Sequence, residues 1–381
     1  MLTLIVNAGS SSLKVSLYKE NKKSFSLVKH LLYDGIGSDT KLVIGVKKRF
    51  VDVIDSAHAL RHSIELIKEE FGDKISQVIH RVVHGGDFYN KPVYITQEVK
   101  DRISALSLLA PLHNPHNLSC IEVSERVLPQ AKQYAVFDTA YHQSIPEQAF
   151  IYGLAKELTQ KYKVRKYGFH GISHSFLSRR AYELTKKKKV ITCHLGNGAS
   201  ITANNNQKSV DTSMGFTPSD GLLMGTRSGT LDPEVPLYLM RILRANRQKV
   251  HDLICSKGGF LGLTGNHDLR HAWKRKSEDD MKALSKLSYQ IKQYIGSYAA
   301  TLNGVDVIVF SGGVGENAWY VRKDALAKLD FLGVKLDLAK NRKAVAVTKP
   351  VAIHKRNSKV KIYVIPSNEE EEMLRQVKHI K

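Results

Sequence analysis

The feature that most restricts the fold of this 381-residue chain is a plan that occurs twice. VNAGSSSLKVSLYKENKK, starting at Val6, and CHLGNGASITANNNQKS, starting at Cys193, both read strand, glycine-bearing turn, strand, hydrophilic turn, strand. They share no long identity. Either two hairpins resemble each other by coincidence, or the chain holds two related domains whose glycine turns face one cleft and offer backbone N–H groups to an anion.

Between and after these stretches the apolar spacing alternates between strand and helix periods, which defines an α/β protein. Residues 2–7, 13–18 and 24–31 read as a three-strand meander, followed by a helix over 57–71 and a strand over 77–83 that ends in HRVVHGGDF. A helix over 99–109, the loop LAPLHNPHN, a helix to Val127 and a strand over 133–137 then deliver Asp138. Polar residues at strand ends are where α/β folds hold ligands. From about residue 151 a second unit begins: KYGFHGISH, a helix to Leu184, the repeated strand plan, helices near 236–245 and 249–255, and GLTGNHDLR. A long amphipathic helix carrying Met281, Leu284, Leu287, Ile291, Tyr294, Ile295, Tyr298 and Leu302 on one side precedes a buried strand over 305–310, SGGVGENA, and a last strand over 360–365. The helix after that strand is expected to return to the first domain. The expected division is therefore 1–148, joined by 367–381, and 149–366.

DTSMGFTPSDGLLMGTRSGTLDPE, from Asp211 to Glu234, has neither period. Its four glycines, two prolines, four threonines and three serines describe a polar loop, while Met214, Phe216, Leu222, Leu223 and Met224 are too apolar for disorder. Arg227 stands in it as a lone permanent cation among hydroxyls. Two readings are open: a fork-shaped anion clamp or an arginine that braces two loops.

Composition narrows the class. Apolar residues make up 42% and charged residues 25%, an ordinary globular balance, and the three scattered cysteines indicate neither a disulfide framework nor a thiolate metal site. MLTLIVNAGSSS reads as strand and turn rather than signal peptide, and no apolar run reaches membrane-spanning length, so a cytoplasmic protein is expected. The formal charge of +22 raises anionic partners. Its basic clusters, at residues 47–49, 186–189, 274–276 and 340–343, are dispersed and lack interleaved aromatics, which argues against a dedicated nucleic-acid interface.

Gly313, Gly315 and Ala318 satisfy a dinucleotide fingerprint after a strand, yet a Rossmann unit would need further strands beyond it; these glycines either admit a nucleotide or simply make a turn. A P-loop and a G-x-S-x-G elbow are both missing from the sequence. Three glycine turns, Arg81 and Arg227, loop histidines (His113, His170, His194), and the carboxylates Asp138 and Glu369 form the set that phosphoryl transfer uses: cationic donors, a sparsely held metal and no covalent machinery.

Taken together, VNAGSSSLK, HRVVHGG, LAPLHNP, FDTAYHQ, YGFHGISH, HLGNGAS, DTSMGFTP with MGTRSG, GGVGEN and IPSNEEE resemble, end to end, the acetate kinase family of the acetate/sugar kinase, heat-shock ATPase and actin superfamily. The resemblance implies two RNase-H-like (actin-like ATPase) domains with a central cleft, and reversible phosphoryl transfer from ATP to acetate. It implies Mg²⁺ (or Mn²⁺) at Asn7 and Glu369, with Glu370 as the alternative ligand, and a nucleotide-phosphate contact at Lys14. Around the nucleotide it sets His194, Leu195, Gly196, Asn197 and Gly198, then Asp268, Leu269 and Arg270, then Gly313, Val314, Gly315, Glu316 and Asn317. Arg81 is implied at the acid carboxylate with His113 nearby, and Val83, Leu112, Phe169 and Pro218 at its alkyl end. His170 and Arg227 would stabilise the transferring phosphoryl group. Asp138 takes the place of the catalytic carboxylate, although acetate is already ionised at neutral pH, so orienting an arginine or metal-bound water suits it better than a base role. A homodimer through the second domain is implied too. The alternatives are a propionate or other short-chain acyl kinase, or a non-enzymatic ATP- or polyanion-binding protein of the same fold.

Overall fold

The computed structural model describes residues 1–9, 11–21, 24–111 and 113–380. The chain forms two compact units, Met1–Gln143 with Glu369–Lys381, and Ser144–Asn368.

In the first unit β1 (Leu2–Ala8), β2 (Ser12–Glu20) and β3 (Phe25–Asp34) form the antiparallel meander, extended by a hairpin of β4 (Lys41–Ile44) and β5 (Lys47–Phe50). On the other side of β1 lie β6 (Ile75–Val82) and β8 (Lys132–Phe137), both parallel to the strand before them, with β7 (Val93–Tyr94) closing the edge. The order is β5-β4-β3-β2-β1-β6-β8-β7. The helix Ser56–Phe71 starts where the Asp55 side chain accepts from the His58 N–H at 2.7 Å, and ends at Gly72, whose φ of 66° suits a residue without a Cβ. Its buried stripe, Ala59, Leu60, Ile64 and Ile67, packs with Leu4, Val6, Val15, Leu17, Leu31 and Val123. Burial of four such side chains contributes on the order of several kcal/mol before chain entropy is counted. A second cluster, with Val82, Ile103, Ile121 and Phe137, lies beneath the ends of β6 and β8.

The second unit repeats this order. β9 (Lys189–Leu195), β10 (Ala199–Asn205) and β11 (Lys208–Thr212) are antiparallel; β12 (Val307–Ser311) and β14 (Lys361–Val364) continue in parallel from β9, and β13 (Val351–Ala352) closes the edge. The sequence β3-β2-β1-β6-β8 thus matches β11-β10-β9-β12-β14 in order and direction. The duplicated plan is a duplicated topology, and each sheet has the RNase-H-like arrangement of the actin-type ATPases.

Several elements differ from the sequence reading. The hairpin β4–β5 was not apparent because its outer strand, KKRF, is exposed throughout and carries no apolar alternation. β6 stops at Val82, one residue early, because the Val83 N–H leaves the ladder and donates to Asn117 Oδ1 at 3.1 Å. LAPLHNPHN is shorter as a loop than expected: the next helix is Asn114–Val127, with Pro115 in its first turn. GGVGEN is the helix Gly312–Asn317 rather than a turn, entered through Gly312 at φ 77°, where a Cβ would lie 2.6 Å from the Leu195 carbonyl oxygen. In the long helix Glu278–Thr301 the residues Leu284, Leu287, Ile291, Ile295 and Tyr298 are buried, whereas Met281, in the first turn, is exposed.

Candidate active site

In the first unit the polar groups gather at the C-terminal ends of three neighbouring strands. Asn7 lies near the end of β1, Arg81 near the end of β6, and Asp138 just after β8. Arg81 donates from Nε (3.1 Å) and Nη2 to the two carboxylate oxygens of Asp138, and from Nη1 to Asn7 Oδ1 at 3.0 Å. The Glu369 carboxylate, on the first residue of the C-terminal helix Glu369–Lys378, approaches Arg81 Nε at 4.0 Å. Burial pushes the Asp138 carboxyl upward and the Arg81 guanidinium opposes it; on Arg81 itself the two carboxylates outweigh burial and raise it. A carboxylate held bidentately by an arginine orients that arginine; two of the five guanidinium N–H groups remain for a ligand. The Asn7 amide oxygen and the Glu369 carboxylate are hard oxygens drawn to one cationic group, a donor set that suits Mg²⁺ or Mn²⁺ with most of its coordination left to water and phosphate. Lys14 is the antiparallel partner of Asn7 in β2. Glu370 is engaged elsewhere, accepting from Ser16 Oγ at 2.8 Å and Tyr18 Oη at 2.6 Å, which ties the C-terminal helix to β2.

Two residues that the sequence did not single out hold these strand ends. Asn117, buried, accepts from the Val83 N–H and donates to the Ala8 carbonyl at 2.9 Å, so one side chain links the ends of β1 and β6. Asn114, equally buried, binds both the N–H and the carbonyl of His84. Their spacing in HNPHN, three apart, puts both on one face of the helix start, and that was the available signal.

In the second unit His170 precedes the helix Gly171–Thr185 with φ 56° and ψ 26°, a left-handed backbone uncommon for a residue with a Cβ. Its ring lies 4.6 Å from that of His194, centroid to centroid, and its Nδ1 is 2.9 Å from Ser200 Oγ. His194 Nδ1 is 2.7 Å from Ser173 Oγ. A Cβ on Gly198 would lie 3.4 Å from His170 Nε2 and 3.8 Å from Arg227 Nη1, so histidine and arginine converge on the glycine of the β9–β10 turn.

Arg227 is carried by the loop between β11 and the helix Glu234–Ile242. Met214, Leu222, Leu223 and Met224 are buried and anchor it, and the Met224 and Gly225 carbonyls accept from Phe260 N–H and Leu261 N–H at 2.9 Å each. Gly259, at φ 64°, is required there, since a Cβ would lie 2.2 Å from the Met224 carbonyl oxygen. The Arg227 guanidinium donates to the Pro218 carbonyl at 3.0 Å and reaches Met224 Sδ at 3.9 Å. Among the described residues no carboxylate pairs with it, and burial pushes it below the usual arginine range. A desolvated, uncompensated cation is costly unless an anion completes it.

A cavity of about 1020 Å³ in the same unit is lined by Gly196 and Asn197, by Asp268, Leu269 and Arg270, and by Gly313, Val314 and Asn317. Trp273, Trp319 and Tyr320 also line it; Trp273 and Tyr320 stack 3.8 Å apart and nearly parallel. These aromatics were not picked out from the sequence, where isolated tryptophans carry no positional signal. His194, Leu195, Gly198, Gly315 and Glu316 do not line the cavity. Asp268 caps its helix and clasps Arg270 through both carboxylate oxygens, and this pairing lowers its carboxyl. Glu316 Oε1 accepts the N–H groups of Gly312 and Ser367 at 2.9 Å each, and buried Arg322 binds the Gly315 and Glu316 carbonyls. Their side chains therefore brace the helix GGVGEN. Of the residues assigned to the acid, Val83 is buried in the first unit, where His113 immediately precedes the helix Asn114–Val127; Phe169 and Pro218 belong to the second, and Leu112 lies outside the described residues.

Duplicated sheets, strand-end hard oxygens and two cationic or imidazole donors converging on a glycine turn define a protein of the actin-type ATPase class equipped to hold anionic phosphate. Residues 2–375 match the Acetokinase family. The acetate kinase of Clostridium acetobutylicum is 42% identical over 400 aligned positions, covering 100% of this chain and 99% of that one. The crystal structure of Porphyromonas gingivalis acetate kinase superimposes with a TM-score of 0.91 at 36% identity, covering 100% of both chains. A propionate kinase from Francisella tularensis superimposes with a TM-score of 0.92 at 35% identity over 98% of each. The chain belongs to the acetokinase family.

Proposed function

We propose that this protein is an acetate kinase that transfers the terminal phosphoryl group of ATP reversibly to acetate. The observation that carries the reading is Arg227: a half-buried guanidinium, unpaired by any carboxylate among the described residues, aimed with His170 at the Gly198 turn. Full-length likeness to acetate kinases supplies the acceptor. An acetate carboxylate oxygen attacks the γ-phosphorus, the bond from that phosphorus to the β,γ-bridging oxygen breaks, and ADP leaves with the electron pair. No proton moves, because acetate enters ionised. Asp138 accordingly orients Arg81, whose free N–H groups hold the acid, while His170 and Arg227 meet charge on the transferring group. Mg²⁺, held through Asn7 and Glu369, would neutralise phosphate charge when bound. The aromatic-lined cavity takes the base and ribose, with Asn197 and Gly313 at its phosphate end.

We assign the acid carboxylate and the metal to the first compact unit and the nucleotide to the second, and further assign homodimerisation to the second. In Glu234–Ile242 no residue is buried, and Leu237, Tyr238 and Ile242 are each more than half exposed, an apolar stripe that a second subunit would cover. Among the described residues no helix is long and apolar enough to cross a membrane, and the three cysteines are unpaired; both agree with a cytoplasmic location. Binding of nucleic acid to the dispersed basic surface is proposed to be nonspecific only.

A propionate kinase among the similar structures keeps a second reading, a short-chain acyl kinase, in play. Trapping the acyl phosphate as hydroxamate, with acetate, propionate and butyrate at matched concentrations, separates them: acetate should give the highest kcat/KM, and the Val83→Ala variant should narrow or invert the acetate-to-propionate ratio by roughly tenfold. A propionate preference in the native protein would shift the assignment, an unchanged ratio in a folded variant would remove Val83 from the site, and no product with any acid would overturn the enzymatic reading.

A further inference from the structure

Behind His170 runs a buried chain of hydrogen bonds whose direction is set at its far end. Asn204 Nδ2 lies 3.0 Å from the carbonyl oxygens of Val190 and Thr202, which orient the amide with its nitrogen inward, and 3.0 Å from Thr192 Oγ1. An amide nitrogen cannot accept, so the Thr192 hydroxyl proton must point elsewhere. The choices are His174 Nδ1 at 2.7 Å and the Thr202 carbonyl at 3.5 Å, and the second, at the limit of hydrogen bonding, would leave the buried hydroxyl proton all but unmatched, which assigns it to His174. With Nδ1 accepting, His174 carries its proton on Nε2, 2.7 Å from Ser200 Oγ. Ser200 has a single hydroxyl proton; accepting from His174, it donates to His170 Nδ1 at 2.9 Å. A doubly protonated His174 would impose the same direction, since its Nε2 would still donate to Ser200.

We propose that Ser200 is a positioning residue that holds neutral His170 in the tautomer with its proton on Nε2, the nitrogen beside Gly198 and Arg227. Asn204, Thr192, His174 and Ser200 are all fully buried, so water does not compete for the bonds. The consequence is a donor aimed at anionic phosphoryl oxygen before substrate arrives, without a proton search at the moment of transfer. This rests on the proposed role of His170. The tautomer itself does not.

The test uses the full-length protein with isotope-labelled histidine and the proton–nitrogen correlation pattern of the imidazole rings, His170 being identified by its loss in His170→Asn. The native protein should show His170 protonated on Nε2. In Ser200→Ala the Nδ1-protonated form should appear, and kcat should fall about tenfold to a hundredfold with the nucleotide KM changed less than about twofold. Native His170 protonated on Nδ1 would overturn the proposal even if Ser200→Ala failed to fold. An unaltered tautomer in a folded Ser200→Ala, or an altered one with kcat within about twofold of native, would remove Ser200 from the positioning role. If the native protein makes no acyl phosphate, the kinase reading fails while the ring measurement still decides the tautomer.

Discussion

At the scale of single residues, Arg227 and His80 show how burial acts in opposite settings. Arg227 is partly desolvated and has no ionised partner among the described residues, so in the proposed mechanism its favourable interaction is deferred until charge develops on a phosphoryl group. Arg227→Ala should therefore lower kcat by about two to four orders of magnitude and move either KM far less; steady-state kinetics alongside a thermal melt would check this, and a kcat that holds while the melt drops would make the arginine a structural brace. His80 is wholly buried, its Nε2 3.0 Å from both Gln133 Oε1 and Ser124 Oγ, and burial pushes it from 6.5 down to about 4. Because the folded pKa lies below the unfolded one, the stabilisation is complete above pH 6.5 and is lost as pH falls toward 4, about 3 kcal/mol in all. His84 is pushed down to about 4 by burial as well, so the window is shared. His80→Gln should flatten part of the fall in melting temperature between these pH values. Parallel curves for variant and native protein would show that His80 does not set it.

Among the elements, the strand ends are tied by a helix start as well as by their sheet neighbours. Asn117 reaches the Val83 N–H and the Ala8 carbonyl together, one residue beyond Asn7 and two beyond Arg81. Asn117→Ala would leave both backbone groups buried and unmatched, costing about 1–3 kcal/mol for each. It should also raise the KM for acetate or lower kcat, because the two strand ends lose their common tether; denaturation together with kinetics would check both, and normal kinetics in a destabilised protein would confine Asn117 to stability. GGVGEN makes a related point. Its glycines let the chain pass the Leu195 carbonyl, but Arg322, seven residues on from Gly315, makes the helix possible by binding its last carbonyls. The sequence reading saw the glycines and missed the arginine.

For the whole molecule, charge and apolar exposure point to different partners. The surplus of 22 positive charges is proposed to attract polyanions only weakly, whereas the exposed stripe of Leu237, Tyr238 and Ile242 is the face proposed to pack on a second copy of the chain. Sedimentation or light scattering of the native protein should give a dimer, and a Leu237→Glu, Ile242→Glu double variant should dissociate it. A dimer that survives both glutamates would place the interface elsewhere.

The sequence by itself determined the duplicated strand plan, most helices and strands, and the motifs at strand ends, because apolar period, turn glycines and local spacing act between residues near in the chain. The strands over 2–7 and 189–194 were legible for that reason, while KKRF in β5 was not, having no buried face. Only the tertiary structure decided that Arg81 clasps Asp138, that Asn117 joins two strand ends, that Trp273 stacks on Tyr320, and that the direction of the His170 hydrogen bond originates at Asn204. Those relations join residues tens of positions apart, and hydrogen-bond direction and burial come into being only when the packed core removes water as an alternative partner.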